Sequence, residues 1–162
     1  MVCGGRVERM DKMGCPFEVR CCGIEHLPEL SDMYDQFSPK AISQGLPPIS
    51  PEQCRKWVKR LLETGENFMA WQDGKAVGHC ALMIDRQRED GEYIIFVDQP
   101  YRNRGLGTEL TAIAVQRARE LELKLLWLTV EAFNFRAIRV YRKVGFQFCD
   151  ECERERTMVL GL

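Results

Sequence analysis

One stretch of this chain, VDQPYRNRGLGT at residues 97–108, constrains the fold more than any other. It follows an apolar run at residues 92–97, which predicts a strand, and it leads into a segment that predicts a helix over residues 105–120. The apolar residues of that segment share one helical face; they are Leu106, Leu110, Ile113, Ala114, Ala118 and Leu121. A strand, a turn and an amphipathic helix in this order indicate a domain built from both sheet and helices.

The turn between this strand and this helix has the composition of an anion-binding loop. Gly105 and Gly107 let the backbone approach a ligand closely and let several N–H groups point the same way. The helix adds the positive end of its dipole, and Arg102 and Arg104 supply charge for a pyrophosphate. The GxxxxGK[ST] loop is absent, and the dinucleotide fingerprint GxGxxG fails because position 110 is leucine. The pattern that remains is Arg-x-x-Gly-x-Gly after a strand.

A second motif, NFRAIRVYRKVGF at residues 134–146, follows a buried strand predicted at residues 124–130. Its residues Asn134, Ala137 and Tyr141 fall on one face of a helix. Together the two motifs resemble the pyrophosphate loop and the N-x-x-A-x-x-x-Y-x-x-x-G-F element of the GNAT superfamily. The members of this superfamily are acetyl-CoA-dependent N-acetyltransferases. We therefore expect an enzyme that uses acetyl-CoA as a co-substrate.

The remaining elements can be predicted from periodicity and turn signals. Strands are predicted at residues 17–22, 67–72, 76–84, 92–97, 124–130, 146–149 and 156–160, and helices at 26–37, 50–63, 105–120 and 135–144. Ser50 and Gln53 form a capping box, and Asp73-Gly74 predicts a hairpin. This order indicates a mixed α/β or α+β fold. The resemblance implies a mixed, mostly antiparallel sheet of six or seven strands that splays in the middle, with about four flanking helices.

Length and composition predict the organisation of the chain and its surroundings. We expect a loose arm over residues 1–16 and a single acetyltransferase domain over residues 17–162. The formal net charge of -1 gives no reason to expect nucleic-acid binding, and no apolar run is long enough to span a membrane. We expect a cytoplasmic protein with reduced thiols. The oligomeric state stays open, a homodimer included.

The eight cysteines are the other unusual feature of the composition. Cys149 and Cys152 are the one pair with metal or redox spacing, but a zinc site would need further ligands that no second CxxC or CxxH supplies. We therefore predict neither a bound metal nor a structural disulfide. His26 and His79 lie outside both motifs, and we expect both to be structural.

The GNAT resemblance implies where acetyl-CoA binds. The sheet is expected to splay between the strands at residues 92–97 and 124–130, and the pantetheine arm to enter the split like an extra strand. Backbone groups of Phe96 and Val97 would bind this arm, while Asn134 and Tyr141 would face it and the thiol. Backbone amides would hold the pyrophosphate; they belong to Arg102, Asn103, Arg104, Gly105, Leu106, Gly107 and Thr108.

Acetyl transfer to an amine requires a neutral amine, a polarised thioester carbonyl and a stabilised thiolate. Glu92 is the base candidate because it opens the strand that receives the thioester, with Glu131 and Asp98 as alternatives. The backbone N–H of Val97 would polarise the carbonyl. Tyr141 would be the general acid that protonates the thiolate, and no cysteine is assigned a covalent role.

The sequence leaves the acceptor open. Residues 34–39 and 91–97 together resemble the acetyltransferase domain of bacterial protein-lysine acetyltransferases, in which a glutamate at the position of Glu92 is the expected base. A small-molecule amine remains as an alternative to a protein lysine. A different class of function is a domain that binds coenzyme A without transferring the acetyl group, as a sensor or interaction module.

Overall fold

The structure is a computed structural model that describes residues 5–40, 46–149 and 155–162. The elements in chain order are β1 (Arg6–Met10), β2 (Pro16–Cys21), α1 (Leu27–Gln36), α2 (Pro51–Thr64), β3 (Glu66–Gln72), β4 (Lys75–Asp85), β5 (Asp90–Val97), α3 (Leu106–Glu120), β6 (Leu125–Glu131), α4 (Phe135–Val144), β7 (Gln147–Phe148) and β8 (Glu155–Gly161). Short 3-10 helices cover Ile24–His26 and Gln99–Tyr101. The eight strands form one sheet in the order β1-β2-β3-β4-β5-β6-β8-β7. Neighbouring strands are antiparallel except β5 and β6, which confirms the predicted fold class.

The first strand, β1, corrects the prediction of a loose arm over residues 1–16. It pairs antiparallel with β2 from Arg6 opposite Arg20 to Met10 opposite Pro16, so the described part of the chain forms a sheet of eight strands rather than six or seven. Four of its five residues are exposed, and β1 lies at the edge of the sheet. A strand without a buried face has no apolar alternation, which explains why periodicity could not reveal it. Residues 1–4 of the predicted arm lie outside the described part of the chain.

The sheet has a different core on each of its faces. Helices α1 and α2 pack on one face, in a cluster with Phe96. Helices α3 and α4 pack on the other face, in a cluster with Tyr93. Because successive side chains of a strand alternate between faces, Glu92, Ile94 and Phe96 lie on the α1 and α2 side. Ile95 and Val97 pack against the opposite cluster, as this alternation requires.

The two central strands separate after a short stretch of pairing. Strand β5 pairs with β4 along its whole length, and β6 pairs with β8 along its whole length. Between them, β5 and β6 pair only from Asp90 opposite Leu125 to Glu92 opposite Trp127. Beyond Glu92, β5 still pairs with β4 and β6 still pairs with β8, but β5 and β6 no longer pair with each other. The splay predicted between these two strands is therefore present.

Candidate active site

The separation of β5 from β6 opens a cleft of about 820 Å³. The predicted site residues that line it are Phe96, Val97, Arg102, Asn103, Gly105, Gly107, Thr108, Asn134 and Tyr141. The structure thus brings both sequence motifs to one cleft. Three predicted residues, Glu92, Arg104 and Leu106, are not among those that line it.

The loop before α3 adopts the conformation that its glycines allow. Gly105 precedes the helix with φ of 98°, in the left-handed region that a side chain disfavours. Gly107 lies in the first turn and has space beside it, because an added Cβ would meet only Val97 Cγ2 at 3.8 Å and Ile95 Cδ1 at 4.0 Å. Leu106 turns its side chain into the core, where it is fully buried. Only the backbone of Leu106 can therefore take part in binding, together with the other N–H groups at this helix start.

Arg102 connects the loop to the end of β5 and to the residues that follow α1. Its Nε donates to the Val97 carbonyl at 2.8 Å, its Nη2 donates to the Ser38 carbonyl at 2.6 Å, and its guanidinium lies 5.1 Å from the centre of the Phe37 ring. Burial, and then the charge of Arg136, lower the pKa of Arg102. Arg102 therefore lines the cleft while its carbonyl contacts hold the loop in place.

Arg104 does not deliver its charge to the cleft, contrary to the sequence-based expectation. Its Nε donates to Asp11 Oδ2 at 2.8 Å, and its guanidinium lies 5.1 Å from the centre of the Tyr101 ring. The partner, Asp11, follows β1 in the segment that was predicted to be loose. Because the pair spans 93 residues, no local pattern could predict it. The peptide group of Arg104 remains part of the loop.

The cleft is rich in positive charge that sequence analysis largely missed. Its charged lining residues are Lys12, Arg102, Glu131, Arg136, Arg139 and Lys143. Arg136, Arg139 and Lys143 follow one another at intervals of three and four along α4, so their shared face was visible in the sequence. Lys12 carried no such signal. The cleft is therefore cationic although the whole chain has a formal net charge of -1.

The register of β5 determines which backbone groups face the split, and it differs from the prediction. Asp98 N donates to Val77 O on β4, and Phe96 lies opposite His79 in the same ladder. Since backbone groups alternate in direction along a strand, those of Phe96 point toward β4. Those of Ile95 and Val97 point toward the split. The register therefore favours Ile95 and Val97 over the predicted pair of Phe96 and Val97 for contacts with a strand-like ligand.

Tyr141 forms part of the cleft wall from the α4 side. It is 7% exposed, and its ring contacts the rings of Tyr93 and Phe146 at centroid distances of 6.4 and 5.9 Å. Burial raises the pKa of the Tyr141 hydroxyl well above its ordinary value. The hydroxyl is therefore protonated at neutral pH and can donate a proton or a hydrogen bond.

Glu92 lies where the split begins, on the face opposite to Tyr141. Its neighbours across the two ladders are Met83 and Trp127, and its side chain is half-buried. Burial raises the pKa of the Glu92 carboxyl from its ordinary value. A raised pKa makes a carboxylate a stronger base, which suits the predicted role.

The two alternative bases differ from Glu92 in their surroundings. Glu131 ends β6, is exposed and lines the cleft. Asp98 is buried and its Oδ1 accepts a hydrogen bond from the backbone N of Gln99 at 2.9 Å, which caps the short helix Gln99–Tyr101. The geometry therefore gives Asp98 a structural contact and leaves Glu131 as the alternative that reaches the cleft.

His79 belongs to a buried hydrogen-bond chain behind Phe96. Asn67 Nδ2 donates to backbone carbonyls, so Asn67 Oδ1 faces His79 Nε2 at 2.9 Å as an acceptor. His79 Nε2 therefore carries the proton, and Nδ1 accepts from the Tyr34 hydroxyl at 2.7 Å. Burial lowers the pKa of His79 to about 3. A neutral imidazole in the core with a hydrogen bond at each ring nitrogen agrees with a structural role.

The cysteines and carboxylates form no metal cluster in the described ranges 5–40, 46–149 and 155–162. Cys149 is exposed, and its thiol donates to the Thr157 carbonyl at 3.6 Å. Its CxxC partner, Cys152, lies outside those ranges, as does Cys3, so the absence of zinc and of a disulfide stays a prediction. None of the helices that the structure describes has the length and apolar character needed to cross a membrane.

The mixed sheet is split, a loop of glycines and arginines lies at the opening of the split, and a helix beside it carries a buried tyrosine. Together these features define an acetyltransferase architecture. The sequence profile of the acetyltransferase (GNAT) family matches residues 28–146, and the chain belongs to this family. The family predicted from the two motifs is thereby confirmed.

Curated relatives match parts of the chain. The mycothiol acetyltransferase of Sanguibacter keddieii is 34% identical over 90 residues, which are 52% of this chain and 29% of that protein. The spermine/spermidine N(1)-acetyltransferase of Bacillus subtilis is 36% identical over 70 residues, which are 41% of this chain and 46% of that protein. The match therefore spans less than half the length of each relative.

Solved structures share the fold over almost the whole chain. The GNAT domain of S. lividans PAT superposes with a TM-score of 0.84 at 16% identity, covering 97% of both chains. The yncA protein of Salmonella typhimurium, solved with its cofactor acetyl-CoA, superposes with a TM-score of 0.70 at 16% identity, covering 90% of this chain and 94% of that one. These likenesses establish the fold.

Proposed function

We propose that the protein is an N-acetyltransferase that moves an acetyl group from acetyl-CoA directly to a primary amine. The observation that carries the proposal is the cleft that begins where Glu92 and Trp127 end the pairing of β5 with β6. This cleft combines a phosphate loop, a strand edge and a buried hydroxyl in one place. Membership of the GNAT family supports the use of acetyl-CoA.

The cleft fits the parts of acetyl-CoA in turn. Its volume lies within the range of about 300–1,000 Å³ that is usual for ligand pockets. The backbone N–H groups at the start of α3 and the surrounding cations suit a pyrophosphate. The Ile95 carbonyl and the Val97 N–H suit the amides of a pantetheine arm, which can add to a strand edge as a peptide does, whereas the Val97 carbonyl already accepts from Arg102 Nε. Asn134 Oδ1 caps α4 by accepting from Ala137 N at 3.2 Å, so Asn134 supports the cleft through this cap.

The reaction forms a bond between the amine nitrogen and the acetyl carbon and breaks the bond between that carbon and sulfur. A backbone N–H that faces the split from β5 stabilises the negative charge that develops on the carbonyl oxygen, and that of Ile95 lies nearer to Glu92 along the strand than that of Val97. Glu92 takes the proton that the amine loses, directly or through a water molecule. Tyr141 gives its hydroxyl proton to the departing thiolate and is then reprotonated from solvent, to which Glu92 releases the proton that it took from the amine.

The positions of Glu92 and Tyr141 support this division of roles. Glu92 lies on the sheet face of α1 and α2, whereas Tyr141 approaches the split from α4 on the other face. An amine that enters from the face of Glu92 therefore loses its proton on one side of the split. The sulfur can receive its proton on the other side without competing for the same group.

We propose a small primary amine as the acceptor. Spermine or spermidine, in the name of the Bacillus subtilis relative, is a small molecule with primary amines. The loose resemblance to protein-lysine acetyltransferases keeps a protein lysine as the alternative. Glu131, exposed at the cleft on the same face as Glu92, suits a cationic acceptor in either case.

The proposal is tested by incubating the protein with acetyl-CoA and a panel of amines while free thiol is measured. The panel contains polyamines, amino acids and lysine peptides, and a reaction without amine measures hydrolysis. Thiol release that depends on one amine, together with its acetylated product by mass spectrometry, supports the proposal. Tight binding of acetyl-CoA without turnover on any amine would instead indicate a sensor or interaction module.

A further inference from the structure

We propose that Lys12, in the turn between β1 and β2, binds the pyrophosphate of acetyl-CoA and supplies the charge that Arg104 withholds. The inference rests on the proposed function and deepens it by adding a residue from outside both sequence motifs. Lys12 lines the cleft together with Gly105 and Gly107. The turn that contains Lys12 is held against the phosphate loop.

Asp11 fixes the turn that presents Lys12. Its carboxylate is fully buried and accepts hydrogen bonds through both oxygens. Oδ1 accepts from the backbone N of Met13 at 2.8 Å and of Cys15 at 2.9 Å. Oδ2 accepts from Arg104 Nε at 2.8 Å and from Gln72 Nε2 at 3.2 Å. The Asp11 side chain therefore stabilises the turn from within and also connects it to the phosphate loop.

Lys12 is held directly against that loop. Its backbone N donates to the Arg104 carbonyl at 2.9 Å. Its Cγ and Cε lie 3.7 and 3.9 Å from the point that a Cβ on Gly105 would occupy. The alkyl chain of Lys12 thus runs along Gly105, and the missing side chain at Gly105 leaves room for it.

The charge balance around the loop explains why Lys12 is needed. Asp11 neutralises Arg104, so this arginine adds no net charge to the loop. Lys12 forms no ion pair with any residue of the described ranges. An ammonium group on a flexible stem beside several N–H donors is a common phosphate ligand. Lys12 therefore replaces Arg104 as the charged partner of the pyrophosphate.

The test compares Lys12→Gln and Lys12→Arg with Lys75→Gln in the full chain. Lys75 is the matched control because it is exposed, lies 5.5 Å from the centre of the Tyr101 ring and does not line the cleft. Calorimetry of acetyl-CoA binding should show roughly tenfold weaker affinity for Lys12→Gln, as for the loss of one charge-assisted hydrogen bond. Lys12→Arg should recover most of the affinity, and Lys75→Gln should match the wild type. At saturating acetyl-CoA, the kcat of Lys75→Gln should equal that of the wild type.

Acetyl-3′-dephospho-CoA identifies the phosphate that Lys12 contacts. If Lys12 binds the pyrophosphate, Lys12→Gln weakens the binding of this analogue by the same factor as that of acetyl-CoA. A loss that disappears with the analogue would place Lys12 on the 3′-phosphate and overturn the assignment. Equal affinities of Lys12→Gln and the wild type would also overturn it. Failure of the wild type to bind acetyl-CoA would contradict the proposed function instead.

Discussion

Glu92 of β5 lies opposite Trp127 of β6 at the last position where these two strands pair. Met83 of β4 lies opposite Glu92 on its other side, so two large apolar side chains flank the carboxyl group. The same position is the start of the cleft. The group proposed to accept the proton of the amine is thus partly desolvated by the strands whose separation creates the binding site.

The first prediction concerns the stability cost of this arrangement. Burial raises the pKa of Glu92 because it favours the neutral form of the carboxyl group. The folded protein is therefore more stable at low pH, where Glu92 is protonated, and this stability is lost as pH rises through the raised pKa of Glu92. Glu92→Gln should therefore melt at an equal or slightly higher temperature than the wild type at pH 7. The difference should vanish toward pH 4. Glu131→Gln, at an exposed site on the same face, is the control and should show no such gain.

The second prediction concerns steric access to the phosphate loop. Gly107→Val should weaken acetyl-CoA binding at least tenfold, because its side chain would occupy the cleft where the backbone must approach the ligand. The fold should remain, since a Cβ at Gly107 meets its neighbours at ordinary contact distances. Calorimetry measures the affinity, and thermal unfolding checks the fold. Unchanged affinity in a folded variant would contradict the placement of the pyrophosphate.

Gly105→Ala is the contrasting variant at the same loop. Its φ of 98° lies in the left-handed region, so alanine should destabilise the protein by about 1 kcal/mol. A melting temperature that falls for Gly105→Ala but stays constant for Gly107→Ala would separate backbone strain from steric block.

The third prediction concerns the link between Asp11 and Arg104. Burial alone would raise the pKa of Asp11, but hydrogen bonds from Cys15, Gln72, Met13 and Arg104 lower it to about 2. A depressed pKa contributes stability above the unfolded value near 3.8, and this stability is lost as pH falls toward 2. Asp11→Asn should therefore be less stable than the wild type at pH 7, and the two should converge at about pH 2. Thermal unfolding from pH 7 to pH 2 measures this, and an unchanged gap would contradict it.

Sequence reasoning located the elements that have a local signal. The helix over residues 50–63 was predicted from Ser50 and Gln53, and the structure has α2 at Pro51–Thr64 with Ser50 Oγ accepting from Gln53 N at 3.5 Å. The hairpin at Asp73-Gly74 also joins β3 to β4 as predicted. Caps and turns depend on residues only a few positions apart, so a sequence displays them directly.

The features that were missed depend on contacts between distant segments. The Asp11–Arg104 pair joins the turn after an edge strand to a loop 93 residues later, and Lys12 in the same turn lines the cleft. The register that points Ile95 rather than Phe96 toward the split is likewise set by pairing with β4. Neither apolar periodicity nor a motif contains this information.

The last prediction tests the roles of Tyr141 and Glu92 by the shape of their pH profiles. Tyr141→Phe keeps the ring contacts with Tyr93 and Phe146 but removes the donor, so acetyl-CoA affinity should change little while turnover falls on the order of 10²-fold. The defect lies in the leaving group and should persist as pH rises. Tyr93→Phe is the control, because its hydroxyl donates to Thr111 Oγ1 at 2.9 Å in the core and its loss should affect stability rather than turnover.

Glu92→Gln should behave differently over the same pH range. Its turnover should be lowest near neutral pH, where an amine with a pKa of about 10.4 is mostly protonated and needs a base. Activity should recover in part as pH rises, because more of the amine is then neutral without help. In the wild type, turnover should fall at low pH as Glu92 becomes protonated, and because its pKa is raised this fall should begin above the range of an ordinary glutamate. Parallel profiles for Tyr141→Phe and Glu92→Gln would mean that the two side chains do not divide the proton transfers between the faces of the sheet.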